Sequence, residues 1–140
     1  MQTILIAHRD SAFAEARAAE LRRGGYRVIT CPGPWPPQRC VRCDKGYCPL
    51  TEAAELMIYD PQLTAEDEAG RRHNLAADSA LAHREVPMLL AWSPNAELDV
   101  GTLRAIRAEA PRVRVAAQEP DGLLRQVDRM LRAPSANPSR

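Results

Sequence analysis

The stretch that most constrains this chain is Ala54-Glu55-Leu56-Met57-Ile58-Tyr59-Asp60-Pro61. A short apolar run stops at a carboxylate, and a proline follows. Such a run suits a strand buried on both faces, as in a parallel sheet. Pro61 has no N–H to give to a ladder, so the strand is expected to end at Asp60. Ligands of open α/β sheets bind beyond the carboxyl ends of the strands, which is where Asp60 would sit. The same Asp-Pro pair also opens ordinary turns. Asp60 is therefore a site residue or a turn former, and only the rest of the chain can decide.

Other short apolar runs flank it. Thr3-Ile4-Leu5-Ile6-Ala7 predicts a first buried strand, with His8-Arg9-Asp10 at its carboxyl end. Asp10 or Ser11 can cap a helix from about Ala12 to Arg23, rich in alanine, with Ala14, Ala18 and Leu21 on one face. Gly24-Gly25 ends it, and Tyr26–Thr30 reads as a second strand. The run ending at Asp60 is the third. Pro61 to Arg72 is charged and poorly periodic, which predicts a loop. Helix is expected from about His73 to Arg84, with Leu75, Ala82 and Leu81 inward. His73 and His83 read as helix-surface or loop residues. Val86–Trp92 predicts strand four. Ser93-Pro94-Asn95 then opens a helix presenting Val100, Leu103, Ile106 and Ala110, stopped by Pro111. Val113–Ala117 predicts strand five, and Glu119-Pro120-Asp121 a last helix striped by Leu123, Leu124, Val127 and Leu131. Alternating strands and helices argue a parallel sheet covered on both faces.

The alternation fails between Cys31 and Pro49. Five prolines there (Pro32, Pro34, Pro36, Pro37, Pro49) forbid a regular helix, and all four cysteines of the chain fall in it. The spacing Cys31-x8-Cys40-x2-Cys43-x4-Cys48 is metal-like in its Cys-x2-Cys core, because four thiolates can close a tetrahedron on Zn²⁺. One or two disulfides, free thiols or an iron–sulfur cluster are the other readings. Cys31 also suits an ordinary buried place at the end of strand two. The chain of 140 residues carries a net charge of +1, so neither nucleic acid nor an acidic membrane surface is implied. No apolar stretch matches a signal peptide or a membrane span, which predicts a soluble cytoplasmic protein.

Several of these stretches resemble response-regulator receiver domains, which have the CheY-like, flavodoxin-like fold. The residues that carry the resemblance are Ile4-Leu5-Ile6-Ala7-His8-Arg9-Asp10-Ser11-Ala12-Phe13, Gly25-Tyr26-Arg27-Val28, Glu55–Asp60, Val86–Trp92 and Glu119-Pro120-Asp121-Gly122-Leu123-Leu124. The resemblance implies five parallel strands in the order 2-1-3-4-5, with the Cys/Pro-rich segment in place of the second helix. One domain is expected over residues 1–133, holding the insert 31–50, with a disordered tail over 134–140. The resemblance makes Asp60 the phosphoacceptor equivalent of a two-component phosphorelay.

The rest of that machinery is missing. His8 and Arg9 stand where the family has two acidic residues that help hold Mg²⁺, and Asp10 is acidic one place too late. Neutral histidine and cationic arginine are poor partners for that ion, so no Mg²⁺ is expected. Trp92 replaces a hydroxyl at the end of strand four, with Ser93 one place on. Ala116 replaces the phosphate-pairing lysine of strand five, and the only lysine, Lys45, lies in the cysteine segment. Arg9 has a second reading, in which it pairs with Asp60 or Asp10 and holds the pocket shut. The expectation is a non-enzymatic pseudo-receiver that signals through a protein partner, with a homodimer as one form of that contact. The alternative is a metal- or redox-sensing module that uses Cys31, Cys40, Cys43 and Cys48, with Zn²⁺ as the expected cofactor.

Overall fold

The computed structural model of the chain describes residues 1–33 and 48–132. Cys40, Cys43, Lys45, Trp35 and the tail 134–140 lie outside the described residues.

Strand β1 (Thr3–Ala7) is buried along its whole length, as is β3 (Leu56–Tyr59). They pair in parallel, and β2 (Arg27–Cys31) flanks β1 on the other side. Strand β6 (Met88–Leu90) pairs with β3 and β7 (Arg114–Val115) with β6, both parallel. The five-stranded sheet therefore runs β2-β1-β3-β6-β7, the expected order of five parallel strands. Alternate residues of a strand face opposite sides. Ile4, Ile6, Leu56, Ile58 and Leu89 pack under helices α1 (Ser11–Arg23) and α5 (Gly122–Leu131). Leu5, Met57, Tyr59, Met88 and Leu90 pack on the other side, with Leu75, Ala76, Ala80 and Ile106. Both layers need apolar side chains, which is why the strands read as continuous apolar runs rather than alternating ones.

Helix α1 is capped by Asp10, whose side chain accepts the N–H of Phe13. It buries Ala14, Ala18 and Leu21 as the pattern predicts, and also Glu20, whose carboxylate accepts the free N–H of Leu124 in the first turn of α5 at 3.0 Å. The glycine pair after α1 has two separate jobs. A Cβ on Gly24 would meet Leu124 at 2.4 Å, so this position lets α5 approach; Gly25 takes φ +94, a left-handed conformation that side chains resist.

Several boundaries differ from the sequence expectation. Pro61–Arg72 is not a plain loop. It contains β4 (Thr64–Glu66), which pairs antiparallel with β5 (Arg72–Asn74), so His73 lies on a strand. Helix α3 spans only Leu75–Ala82, capped by Asn74, and buries Leu75, Ala76, Ser79 and Ala80; Ala82 is exposed. The cap fixes the helical phase, and that phase carries Ala82 outward. Helix α4 (Val100–Glu109) starts at Asp99, not near Ser93, because the Asp99 side chain takes the N–H groups of Gly101 and Thr102. Ile106 is its one buried residue, whereas Val100 is 57% exposed. Pro120 precedes α5, whose cap Asp121 has φ 60. A short helix, α2 (Pro49–Ala53), occupies the end of the proline-rich stretch, with Pro49 at its start, where no intrahelical N–H is needed. No helix among the described residues is long and apolar enough to cross a membrane.

Candidate functional site

Asp60 follows β3 directly, and its N–H extends the ladder by one residue to the carbonyl of Ala7 at 2.8 Å. It therefore stands at the carboxyl end of the strand in the middle of the sheet. It is fully buried. A buried carboxylate needs donors, and here it has four. The guanidinium of Arg9 forks onto it, Nε to Oδ2 and Nη2 to Oδ1 at 3.2 Å. The backbone N–H of Arg9 reaches Oδ2 at 3.3 Å, and that of Gln62 donates to Oδ1 at 2.9 Å. Planar fork-to-carboxylate pairing is the geometry arginine offers and lysine does not.

His8 is buried beside this pair. Its Nε2 donates to the carbonyl of Ala91 at 3.1 Å, and its Nδ1 accepts the N–H of Asp10 at 3.0 Å. Those partners fix a neutral imidazole with the proton on Nε2. Burial pushes its pKa below the usual 6.5. Asp10 points its carboxylate at the N-terminus of α1 as a cap. The three residues after β1 thus have three separate jobs: a core hydrogen bond, an ion pair and a cap.

This donor set does not fit the Mg²⁺ that the fold family implies. Magnesium wants several hard oxygens converging in an octahedron. Both oxygens of Asp60 are already taken by N–H donors, one of them a cation, both nitrogens of His8 are engaged, and the Asp10 oxygen is committed to a cap. Beyond these residues lies an open cleft of about 510 Å³, bordered by Asp60, Gln62, Ser93 and Asn95. Trp92 follows β6 with Ser93 next to it, and Ala116 follows β7 with its N–H on the carbonyl of Leu90.

Of the cysteines, Cys31 ends β2 and Cys48 precedes α2, both half-buried. The carbonyl of Cys31 accepts the N–H of His8 at 3.0 Å. Among the described residues no cluster of His, Cys, Asp and Glu side chains converges as a metal site.

Sequence reading missed two polar centres. Gln62, expected in a loop, donates its N–H to Asp60, and its Oε1 accepts the N–H of Asp99, the cap of α4, at 2.7 Å. His73, expected at a helix surface or in a loop, has its ring between Asp67 Oδ2 at 2.9 Å and Asp78 Oδ2 at 3.1 Å. The hydrogen bond to Asp67 raises its pKa above 6.5. The pair Asn74 (cap) and Gly70 (φ +79, turn) was the available signal for the hairpin that creates this centre.

Neither family models nor curated proteins match the chain. Solved structures do. A receiver domain of Methanospirillum hungatei superposes with a TM-score of 0.63 at 13% identity, covering 94% of both chains. A response regulator protein of Burkholderia multivorans gives 0.59 at 18%, covering 98% of this chain and 99% of the other. The signal receiver domain of a diguanylate cyclase from Desulfovibrio desulfuricans gives 0.59 at 20%, covering 93% and 92%. With the sheet order and the place of Asp60, these likenesses show that the chain has the fold of a response-regulator receiver domain.

Proposed function

We propose that this chain is a pseudo-receiver: it works in signal transduction through contact with a protein partner, and Asp60 serves as a structural carboxylate instead of a phosphoacceptor. The observation that carries this reading is the fork of Arg9 on Asp60. Phosphoryl transfer depends on positioned charge around the moving group, supplied by a metal and cationic or hydroxyl side chains. To attack a phosphoryl donor, an oxygen of Asp60 would have to leave Arg9 and a backbone N–H. The Arg9 cation already engages both carboxylate oxygens that would have to help hold a metal serving as Lewis acid. Ala116 leaves an aspartyl phosphate without the charge partner a lysine would give. Incubation with acetyl phosphate and Mg²⁺ is expected to leave the intact mass unchanged. A gain of one phosphoryl group that disappears in Asp60→Asn overturns the reading.

The partner is another protein or a second copy of the chain, since the balanced charge favours neither nucleic acid nor membrane. No catalytic residue is assigned. The rival reading, a metal- or redox-sensing module on Cys31, Cys40, Cys43 and Cys48, has one observation in its favour. The carbonyl of Cys31 holds the N–H of His8, so a change at the cysteines is one hydrogen bond from the Asp60 pocket.

A further inference from the structure

We propose that Gln126 is a stopper on the sheet: its side-chain amide stands in for one residue of a further strand and keeps the outer edge of β7 closed to a second copy of this chain. The inference is independent of how Asp60 is read. Strand β7 pairs with β6 alone, so it is an outer strand of the sheet. An outer strand presents N–H and C=O groups on its free side, where another chain can pair with them. The N–H of Ala116 turns inward to the carbonyl of Leu90 at 2.9 Å. The two groups of a peptide unit point opposite ways, so the carbonyl of Val115 faces outward, and so does the next N–H, that of Ala117.

Both outward groups end on Gln126 of α5. Its Oε1 accepts the N–H of Ala117 at 2.7 Å, and its Nε2 donates to the carbonyl of Val115 at 3.0 Å. One residue of a neighbouring parallel strand makes the same pair of bonds, its N–H to one carbonyl and its own carbonyl to an N–H two residues on. Leu123 and Val127 are fully buried, which fixes α5 against the sheet and carries Gln126 to the edge. The other outer strand, β2, is guarded differently: Arg22 donates to its Val28 carbonyl at 3.0 Å and leaves a cation on that edge. The side chains of β7 do not keep a second copy away. Val115 is apolar and 36% exposed. Two β7 edges related by a two-fold axis run antiparallel, and pairing centred on Val115 sets Arg114 of one copy opposite Ala116 of the other. Like charges therefore do not stand directly opposite each other in that register. What blocks the pairing is the amide of Gln126, which already holds the groups that a second copy needs.

The test is Gln126→Ala in the full chain, read by residue-resolved amide hydrogen exchange and by sedimentation velocity between about 10 µM and about 1 mM protein. In the parent, the Ala117 amide should be equally protected at both ends of that range. In the variant it should exchange at least about tenfold faster when dilute and regain protection when concentrated. Sedimentation should show a larger fraction of dimer than in the parent at the same concentration. Adding Val115→Lys puts a charge on the edge, so it should abolish the extra dimer while the fast exchange at Ala117 persists. Should Gln126→Ala fail to fold, Gln126→Leu takes its place, close in volume and without either polar group. Unchanged exchange at Ala117 overturns the cap. An open, fast-exchanging edge with no added dimer, or added dimer that survives Val115→Lys, overturns the closure against a second copy.

Discussion

The pair of Arg9 with Asp60 can be tested energetically through a double-mutant cycle. Asp60 is 1% exposed at its side chain and Arg9 49%. Hydrogen bonds to charged groups contribute about 1.5–3 kcal/mol each when protected from water. Half-exposure of the guanidinium discounts the two made by its side chain. The backbone donors of Arg9 and Gln62 survive truncation of the arginine side chain, so the carboxylate is not left bare. Arg9→Ala is therefore expected to cost about 2 kcal/mol, less than full rupture of a buried pair. With a urea slope of about 1.5 kcal/mol per molar, the midpoint falls by roughly 1.3 M. Asp60→Asn removes the charge at the other end, and the double variant should show a coupling of about 1–1.5 kcal/mol. Arg9→Lys should recover less than half of the loss, since an ammonium cannot fork. Circular dichroism against urea reads all four corners. Additivity within about 0.3 kcal/mol would refute the claim that the guanidinium holds this carboxylate.

Two histidines shape stability with pH in opposite senses. The pKa of His73 is raised in the folded state, so its contribution is full below 6.5 and is lost as pH rises through the folded value. The pKa of His8 is lowered, so the unfolded chain binds the proton better and stability falls as pH drops below 6.5. The urea midpoint contributed by the two should peak near pH 6.5. His73→Gln should remove the fall on the alkaline side alone, and an unchanged profile counts against the His73 bridge. Arg112 donates to the carbonyls of Ala80, His83 and Val86 at 2.7–3.1 Å and so caps α3. Arg112→Ala should cost about 2 kcal/mol and speed amide exchange in the last turn of α3; a change under about 0.5 kcal/mol refutes the cap. On the rival reading of the four cysteines as a metal module, metal analysis should find one equivalent of Zn²⁺ per chain, and the sheet should stay folded after chelation. Four freely titrating thiols in metal-free protein would refute it.

The sheet was legible because its signal is redundant. Leu56–Tyr59 is apolar at each position, and Pro61 marks its end whatever follows. Asp60 was legible as one of two partners for Arg9, with Asp10 the other, because Asp60 and Arg9 both fall at the carboxyl ends of adjacent strands; the structure selects Asp60 and gives Asp10 to the cap of α1. The hairpin was not, since Thr64–Glu66 and Arg72–Asn74 have three residues each and little apolar content. Strands that short give no period to count. The N-terminus of α4 was misplaced because Pro94 and Asp99 are both plausible starts, and only tertiary placement selects the second. Gln62 was invisible for a different reason: its role rests on a backbone N–H and a hydrogen bond to a residue 37 positions away.

That glutamine has a thermodynamic consequence. It touches Asp60 with its N–H and the cap of α4 with its Oε1, so two hydrogen bonds join the ion pair to the start of an exposed helix. A ligand that bound the first turn of α4 more tightly with the Gln62–Asp99 hydrogen bond made than with it broken would also shift the hold of Arg9 on Asp60. By linkage, loosening that hold changes the affinity of α4 for the ligand by the same factor. On the pseudo-receiver reading, a signal would pass along this route as binding energy.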